Sequence, residues 1–113
     1  MTDFLHTLRQ ANLVRQGEWD SNNEIDGPLG LLFRSNELGG EVGEVQNEVK
    51  KLVREQLGIK GGKQNVEDLK DEIGDVLISL DLLAMDYGIS LADAARTKFN
   101  KTSEKHDLTT RIL

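Results

Sequence analysis

The sequence predicts an all-α fold, a bundle of four helices, and three observations predict it. Apolar residues recur at helical spacing along nearly the whole chain. Polar stretches rich in glycine and asparagine cut that pattern into four segments. No segment carries the strict alternation of a strand. At 113 residues the chain reads as one domain, 1–113. Aromatic residues make up only 4%, so the core must come from Leu, Ile, Val and Ala. A chain this small buries a limited core. Homo-oligomerisation is the expected way to complete the bundle.

The elements follow in order. "TDFLHTLRQANLVRQ" places Phe4, Leu5, Leu8, Ala11 and Val14 on one face, a first helix ending before Gly17. "GEWDSNNEIDGP" reads as a polar loop. The sole proline, Pro28, suits the first position of a second helix, which runs to Leu57 and stops at Gly58. "GIKGGKQ" is a flexible basic turn. Asn65 with Asp68 resembles a capping box with Asp in the Glu/Gln position, which starts a third helix at Val66 and carries it to Gly88. Ser90 with Asp93 repeats the signal for a fourth helix from Leu91 to Lys105, and "DLTTRIL" reads as irregular.

Composition removes several functions. The absence of cysteine excludes thiolate metal sites, disulfides and thiol catalysis. A net charge of −6 and a pI of about 4.9 argue against a nucleic-acid partner. "MTDFLHTLRQ" has no apolar signal-peptide core, and no run approaches the ~18 apolar residues of a membrane span. The expectation is a cytoplasmic protein with no membrane partner. A di-iron helical bundle needs Glu-x-x-His motifs, and neither His6 nor His106 has a glutamate three residues before it.

Two segments nearly repeat each other: "EVGEV" at 41–45 and "EIGDV" at 72–76. With about 100° of rotation per residue and Glu37 at zero, Glu41, Glu44 and Glu48 fall within about 40° of it. Leu38, Val42, Val45, Val49 and Leu52 spread from about 60° to 140°. With Asp68 at zero on the third helix, Glu72 and Asp75 again fall within about 40°, and Leu69, Ile73, Val76, Leu80 and Leu83 cluster near 110°. Packing of the apolar stripes, through Val42, Val45, Val49, Ile73, Val76 and Leu80, would bring the carboxylates to one rim. Leu77, Leu82 and Leu83 would face a partner chain or the other helices. A solvated helix face normally interleaves lysine with glutamate. Glu37, Glu41, Glu44 and Glu48 have no cation among them. A divalent cation justifies such a stripe: Mg²⁺, with Mn²⁺ as a substitute, takes carboxylate oxygens and bridges phosphates. Gly39, Gly40, Gly43 and Gly74 each cost about 1 kcal/mol inside a helix. Close backbone approach or room for a ligand would offset that cost.

"ELGGEVGEVQNEVKKL" followed by "LKDEIGDVLISLDLLAMDYGISL" resembles the MazG-like, all-α nucleoside triphosphate pyrophosphohydrolase superfamily. The ExxE motif is Glu41 to Glu44 and the ExxD motif Glu72 to Asp75. The ending "KFNKTSEKHDLTTRI" is similar too, so the likeness runs from Ala11 to Ile112. The resemblance implies Mg²⁺-dependent cleavage of an NTP or dNTP to the monophosphate and pyrophosphate by metal-activated water. It implies a homodimer or dimer of dimers. It implies Glu41, Glu44, Glu72 and Asp75 as metal ligands and Lys98 on the phosphates.

Many relatives carry a water-activating glutamate where this chain has Gly40. Glu37, one turn earlier, or Glu44 in a double role, would take that part. Relatives' asparagine and arginine after the lysine are Thr102 and Lys105 here. Lys98, Lys101 or Thr102, and Lys105 share one face of the fourth helix. Lys60 and Lys63, in the glycine-rich turn, are further candidates for phosphate contact. Trp19, Phe33 and Asn36 are the candidates for a base pocket. The alternative is a non-catalytic acidic helical oligomerisation module, which leaves the uncompensated glutamate stripe unexplained.

Overall fold

The computed structural model describes residues 3–113. The first predicted helix was read from Thr2, which lies outside that range with Met1. Four helices follow in order: α1 (Phe4–Trp19), α2 (Gly27–Gln56), α3 (Val66–Met85) and α4 (Leu91–Lys105). The described residues contain no strand. Among them, no helix is long and apolar enough to cross a membrane.

The expected caps form. The Asn65 side chain accepts from the Asp68 N–H at 3.1 Å, and Ser90 Oγ from the Asp93 N–H at 3.2 Å. Two helix ends differ from expectation. Helix α1 continues through Gly17, so Trp19 is its last residue and not a loop residue. Asp20 ends it: its N–H bonds Gln16 O, and its carboxylate accepts from the Glu24 and Ile25 N–H groups at 2.9 and 2.7 Å. One glycine costs a helix about 1 kcal/mol, less than such a terminus returns. Helix α3 stops at Met85, short of Gly88. Gly88 takes a left-handed φ of +62°, and the Ile89 N–H bonds Ala84 O at 3.0 Å.

Helix α3 is central, packing along α2 and against α1. Helix α4 has at most marginal backbone contact with the rest. The face between α2 and α3 is only partly apolar. Val42, Val49, Ile73 and Leu80 are exposed, whereas Glu48 and Ser79 are buried. Ser79 falls near 20° on the wheel that places Asp68 at zero, in line with Glu72 and Asp75. Of the six apolar residues expected to pack here, Val45 and Val76 are half-buried while Val42, Val49, Ile73 and Leu80 stand exposed, so the helices are rotated part of the way toward their carboxylate edges. Leu77, Leu82 and Leu83, expected against a partner or other helices, are half-buried within the chain. A single chain leaves part of each apolar stripe uncovered. Ala84 is the only buried apolar residue among those described.

The glycines inside the helices are not sites of close approach. No atom lies within 4 Å of where a Cβ would stand on Gly39, Gly40, Gly43 or Gly74. Gly30 is different: a Cβ there would meet the Ile25 backbone carbonyl carbon at 3.1 Å. The 20–26 loop presses onto α2 at this point.

A polar cluster ties α1 to α3. Asp81, 1% exposed, accepts from Arg9 Nε at 3.1 Å, Arg9 Nη2 at 2.9 Å and Asn12 Nδ2 at 3.0 Å. Arg9 Nη2 also donates to Ile89 O at 2.6 Å, so the cluster reaches the turn before α4. The tail after α4 has no regular structure but is held. Asn100 Nδ2 donates to Ile112 O at 2.9 Å, Asn100 Oδ1 accepts from the Ile112 N–H at 2.8 Å, and Arg96 Nε donates to Leu113 O.

Removing one partner of a buried ion pair strands the other charge, at a cost of about 3 kcal/mol or more. Asp81→Ala is expected to lower the stability of the folded chain by about 3 kcal/mol in denaturant melts, and Asp81→Asn by less.

Candidate active site

The repeated acidic segments meet across the α2–α3 interface. Glu41 from α2 and Glu72 and Asp75 from α3 each offer a carboxylate oxygen, and these lie within 4.8 Å of one another. Spacing explains it: i and i+3 put Glu72 and Asp75 on one edge of α3, and the inward rotation of both helices turns Glu41 to face them. Ligands of one Mg²⁺ at about 2.1 Å stand about 3–4 Å apart. Small side-chain rotations therefore suffice, and the donor set is all hard oxygen. The residues fit Mg²⁺ or Mn²⁺.

The cluster is electrostatically strained without a cation. Partial burial raises the Glu41 carboxyl above its ordinary range, and the charges of Asp75, Glu37 and Glu44 add to the shift. Glu72 is raised in the same way, by partial burial first and then by Asp75, Glu44, Glu41 and Glu48. Glu44 is exposed and stands outside the converging trio, yet its charge reaches both partners.

A cleft of about 440 Å³ opens from this cluster towards the α1–α2 loop. Glu41, Asp75 and Glu37 line its acidic part. Trp19, Ile25, Phe33 and Arg34 line it further from α3's carboxylates, with Asn12, Arg15, Gln16 and Asp20 from α1 and its cap. The Asp20 turn and the contact at Gly30 hold Trp19 at this wall. Trp19 is 82% exposed, an open wall and no core anchor.

Of the residues the sequence singled out, Trp19, Phe33, Glu37, Glu41 and Asp75 line one cleft, and Glu72 joins them through the acidic trio. Asn36 is exposed and does not line it. Lys98 and Lys101 line a separate shallow depression with Ser90, Asp93 and Thr97. Thr102 and Lys105 are exposed on α4. The α4 side chains are away from the cleft because α4 has so little packing against the other helices. Lys63 pairs with Asp68 at the start of α3, and Lys60 is exposed. Sequence reasoning passed over Arg34. It falls near 60° on the wheel with Glu37 at zero, beside Glu41, a position from which its direction was legible.

A family model for the MazG nucleotide pyrophosphohydrolase domain matches residues 34–109, a span that holds the acidic trio. The Gene 37 protein of Mycobacterium phage L5 is 32% identical over 84 residues, 74% of this chain and 73% of that protein. No solved structure matches the chain. The protein belongs to the MazG nucleotide pyrophosphohydrolase domain family.

Proposed function

We propose that the protein is a Mg²⁺-dependent nucleoside triphosphate pyrophosphohydrolase, cleaving an NTP or dNTP to the monophosphate and pyrophosphate. The observation that carries this reading is the convergence of Glu41, Glu72 and Asp75 beside an aromatic cleft. Those three carboxylates hold the cation, with Glu44 next to them. When bound, the cation supplies charge neutralisation for the phosphate oxygens and acidifies the attacking water. Glu44 is the proton acceptor: it is open to solvent and electrostatically coupled to Glu41 and Glu72. Glu37, the other candidate, is paired with Arg34, its Oε1 standing 3.7 Å from Arg34 Nη1. Trp19 and Phe33 stack on the base.

We further propose that the exposed stripe of Val42, Val49, Ile73 and Leu80 is covered by a second copy of the chain. Four aligned apolar side chains, 37–54% exposed, are the surface a homo-oligomer buries. Within that assembly Lys98, Lys101, Thr102 and Lys105 bind the triphosphate, which the cleft's own cations, Arg15 and Arg34, do not balance alone.

Pyrophosphate release from a nucleotide panel tests the activity. Mg²⁺ is expected to raise the melting temperature at neutral pH, and Asp75→Ala to lose both that rise and hydrolysis. Glu44→Gln is expected to lower turnover about 10²–10⁴-fold, the usual range for a general base, while keeping most of the Mg²⁺-dependent rise. Retained turnover in Glu44→Gln moves the proton elsewhere.

The raised carboxyls set the pH dependence. Glu41 and Glu72 hold a proton more tightly folded than unfolded. Their contribution to stability is full below the ordinary glutamate value and is lost as pH rises through the raised folded value. Metal-free melts should fall across that window, and Mg²⁺ should restore stability only above it, read by thermal melts with and without chelator.

Sedimentation at micromolar concentration is expected to give a dimer or larger species. Ile73→Glu should shift it to monomer without removing the helical circular dichroism.

A further inference from the structure

Arg34 is 4% exposed and lines the cleft. Its Nε is buried with no hydrogen-bond partner. The nearest carboxylate oxygen, Glu37 Oε1, stands 3.7 Å from Arg34 Nη1, beyond hydrogen-bond reach. That oxygen is also buried and unpartnered. These two atoms are the only buried side-chain nitrogen or oxygen atoms among the described residues with no partner. The two residues form a loose ion pair, and within it a buried donor and a buried acceptor each lack a hydrogen bond. Buried polar groups in folded chains are nearly always hydrogen-bonded, so a pair of this kind beside a cleft needs a reason.

We infer that Arg34 and Glu37 read the pairing edge of the substrate's nucleobase: Arg34 donates to a ring or carbonyl acceptor, and Glu37 Oε1 accepts from the neighbouring N–H. This rests on the nucleotide reading above and deepens it. Position supports it. Arg34 lies two turns, about 10 Å, before Glu41 along α2, a nucleoside's length from the cation site. Its guanidinium carbon is 5.7 Å from the centre of the Phe33 ring, and Trp19 lines the same wall. Aromatic faces suit a base, not a phosphate.

Electrostatics argues the same way. The Asp20 carboxyl, held below its ordinary range mainly by the Ile25 and Glu24 N–H groups, also feels Arg34's charge. Asp20 and Glu37 flank the guanidinium, so an anionic phosphate there would meet two carboxylates. A neutral base edge, with acceptor and donor side by side, meets no such repulsion. Arg34 and Glu37 are thus specificity residues, which leaves proton abstraction to Glu44.

The test is binding, read by the fluorescence of Trp19, the only tryptophan, in chelator so that no cation is needed. The probes are nucleoside 5′-monophosphates of the four bases and ribose 5-phosphate. At least one nucleotide is expected to bind tenfold or more tightly than ribose 5-phosphate. Arg34→Ala should remove most of that preference, as should Arg34→Lys, which keeps the charge and loses Nε. Glu37→Gln should change the order of preference among bases, and methylation of the ring nitrogen on the pairing edge should weaken the preferred nucleotide. Equal binding of ribose 5-phosphate by the parent overturns the inference. So does an equal loss of ribose 5-phosphate and nucleotide in Arg34→Lys, which would make Arg34 a phosphate residue. Base-selective binding by a parent that releases no pyrophosphate from any triphosphate would sink the hydrolase reading and leave this inference standing.

Discussion

Helices α2 and α3 meet through their charged edges, and most of the molecule is arranged around that fact. Carboxylates gathered in partly buried surroundings repel one another and lose hydration. Lys51 pairs with Glu48 at 3.1 Å and Arg34 stands 3.7 Å from Glu37 at the two ends of the stripe, and no ion pair relieves Glu41 or Glu44 between them. On its other side α3 is fixed to α1, where Asp81 binds Arg9 and Asn12. Turning the acidic edges inward rotates the apolar stripes partly out. The same rotation leaves Gly39, Gly43 and Gly74 facing open space.

The cleft is graded chemically along its length. Acidic oxygens at one end suit a hard cation and, through it, phosphate. Aromatic rings and a guanidinium whose Nε has no hydrogen bond suit a base at the other. Helix α2 spans both ends, so residues of one rigid element set the distance between them. The loop that closes the aromatic end hangs on Asp20, whose two oxygens cap the Glu24 and Ile25 N–H groups. The base end is therefore built from local turn chemistry and the cation end from helix packing.

Much of this was legible in the sequence. Asn65 and Ser90 marked two helix starts because their side chains can satisfy an orphan N–H. Glu41, Glu72 and Asp75 were legible because i, i+3 spacing fixes which side chains share an edge. The rotation of α2 against α3 was not. A helical wheel gives the angle between two stripes, but which stripe faces inward depends on what else is available to cover it. The rule that apolar faces turn inward assumes that one chain supplies the whole core. Asn36 was avoidable: one residue before Glu37, it lies about 100° off the acidic edge. Trp19 was misplaced because Gly17 looked like a stop, while the stronger terminus at Asp20 depends on a turn closed four and five residues later. Arg34 drew no attention because a lone arginine one turn before Glu37 reads as an ordinary i, i+3 ion pair.

Helix α4 raises a question of entropy. A helix with no core beneath it normally frays at its free end. Here the backbone of Ile112 is clasped from both sides by the Asn100 amide, and Arg96 holds the carbonyl of Leu113. The segment after the helix is folded back along it, stiffened by its own chain. Ordering a loose segment costs about 1–2 kcal/mol per residue at the moment it docks. In this arm that freedom is already lost on folding. A surface that meets α4 meets a rigid rod, and the free energy of that contact goes into affinity instead of into ordering the chain.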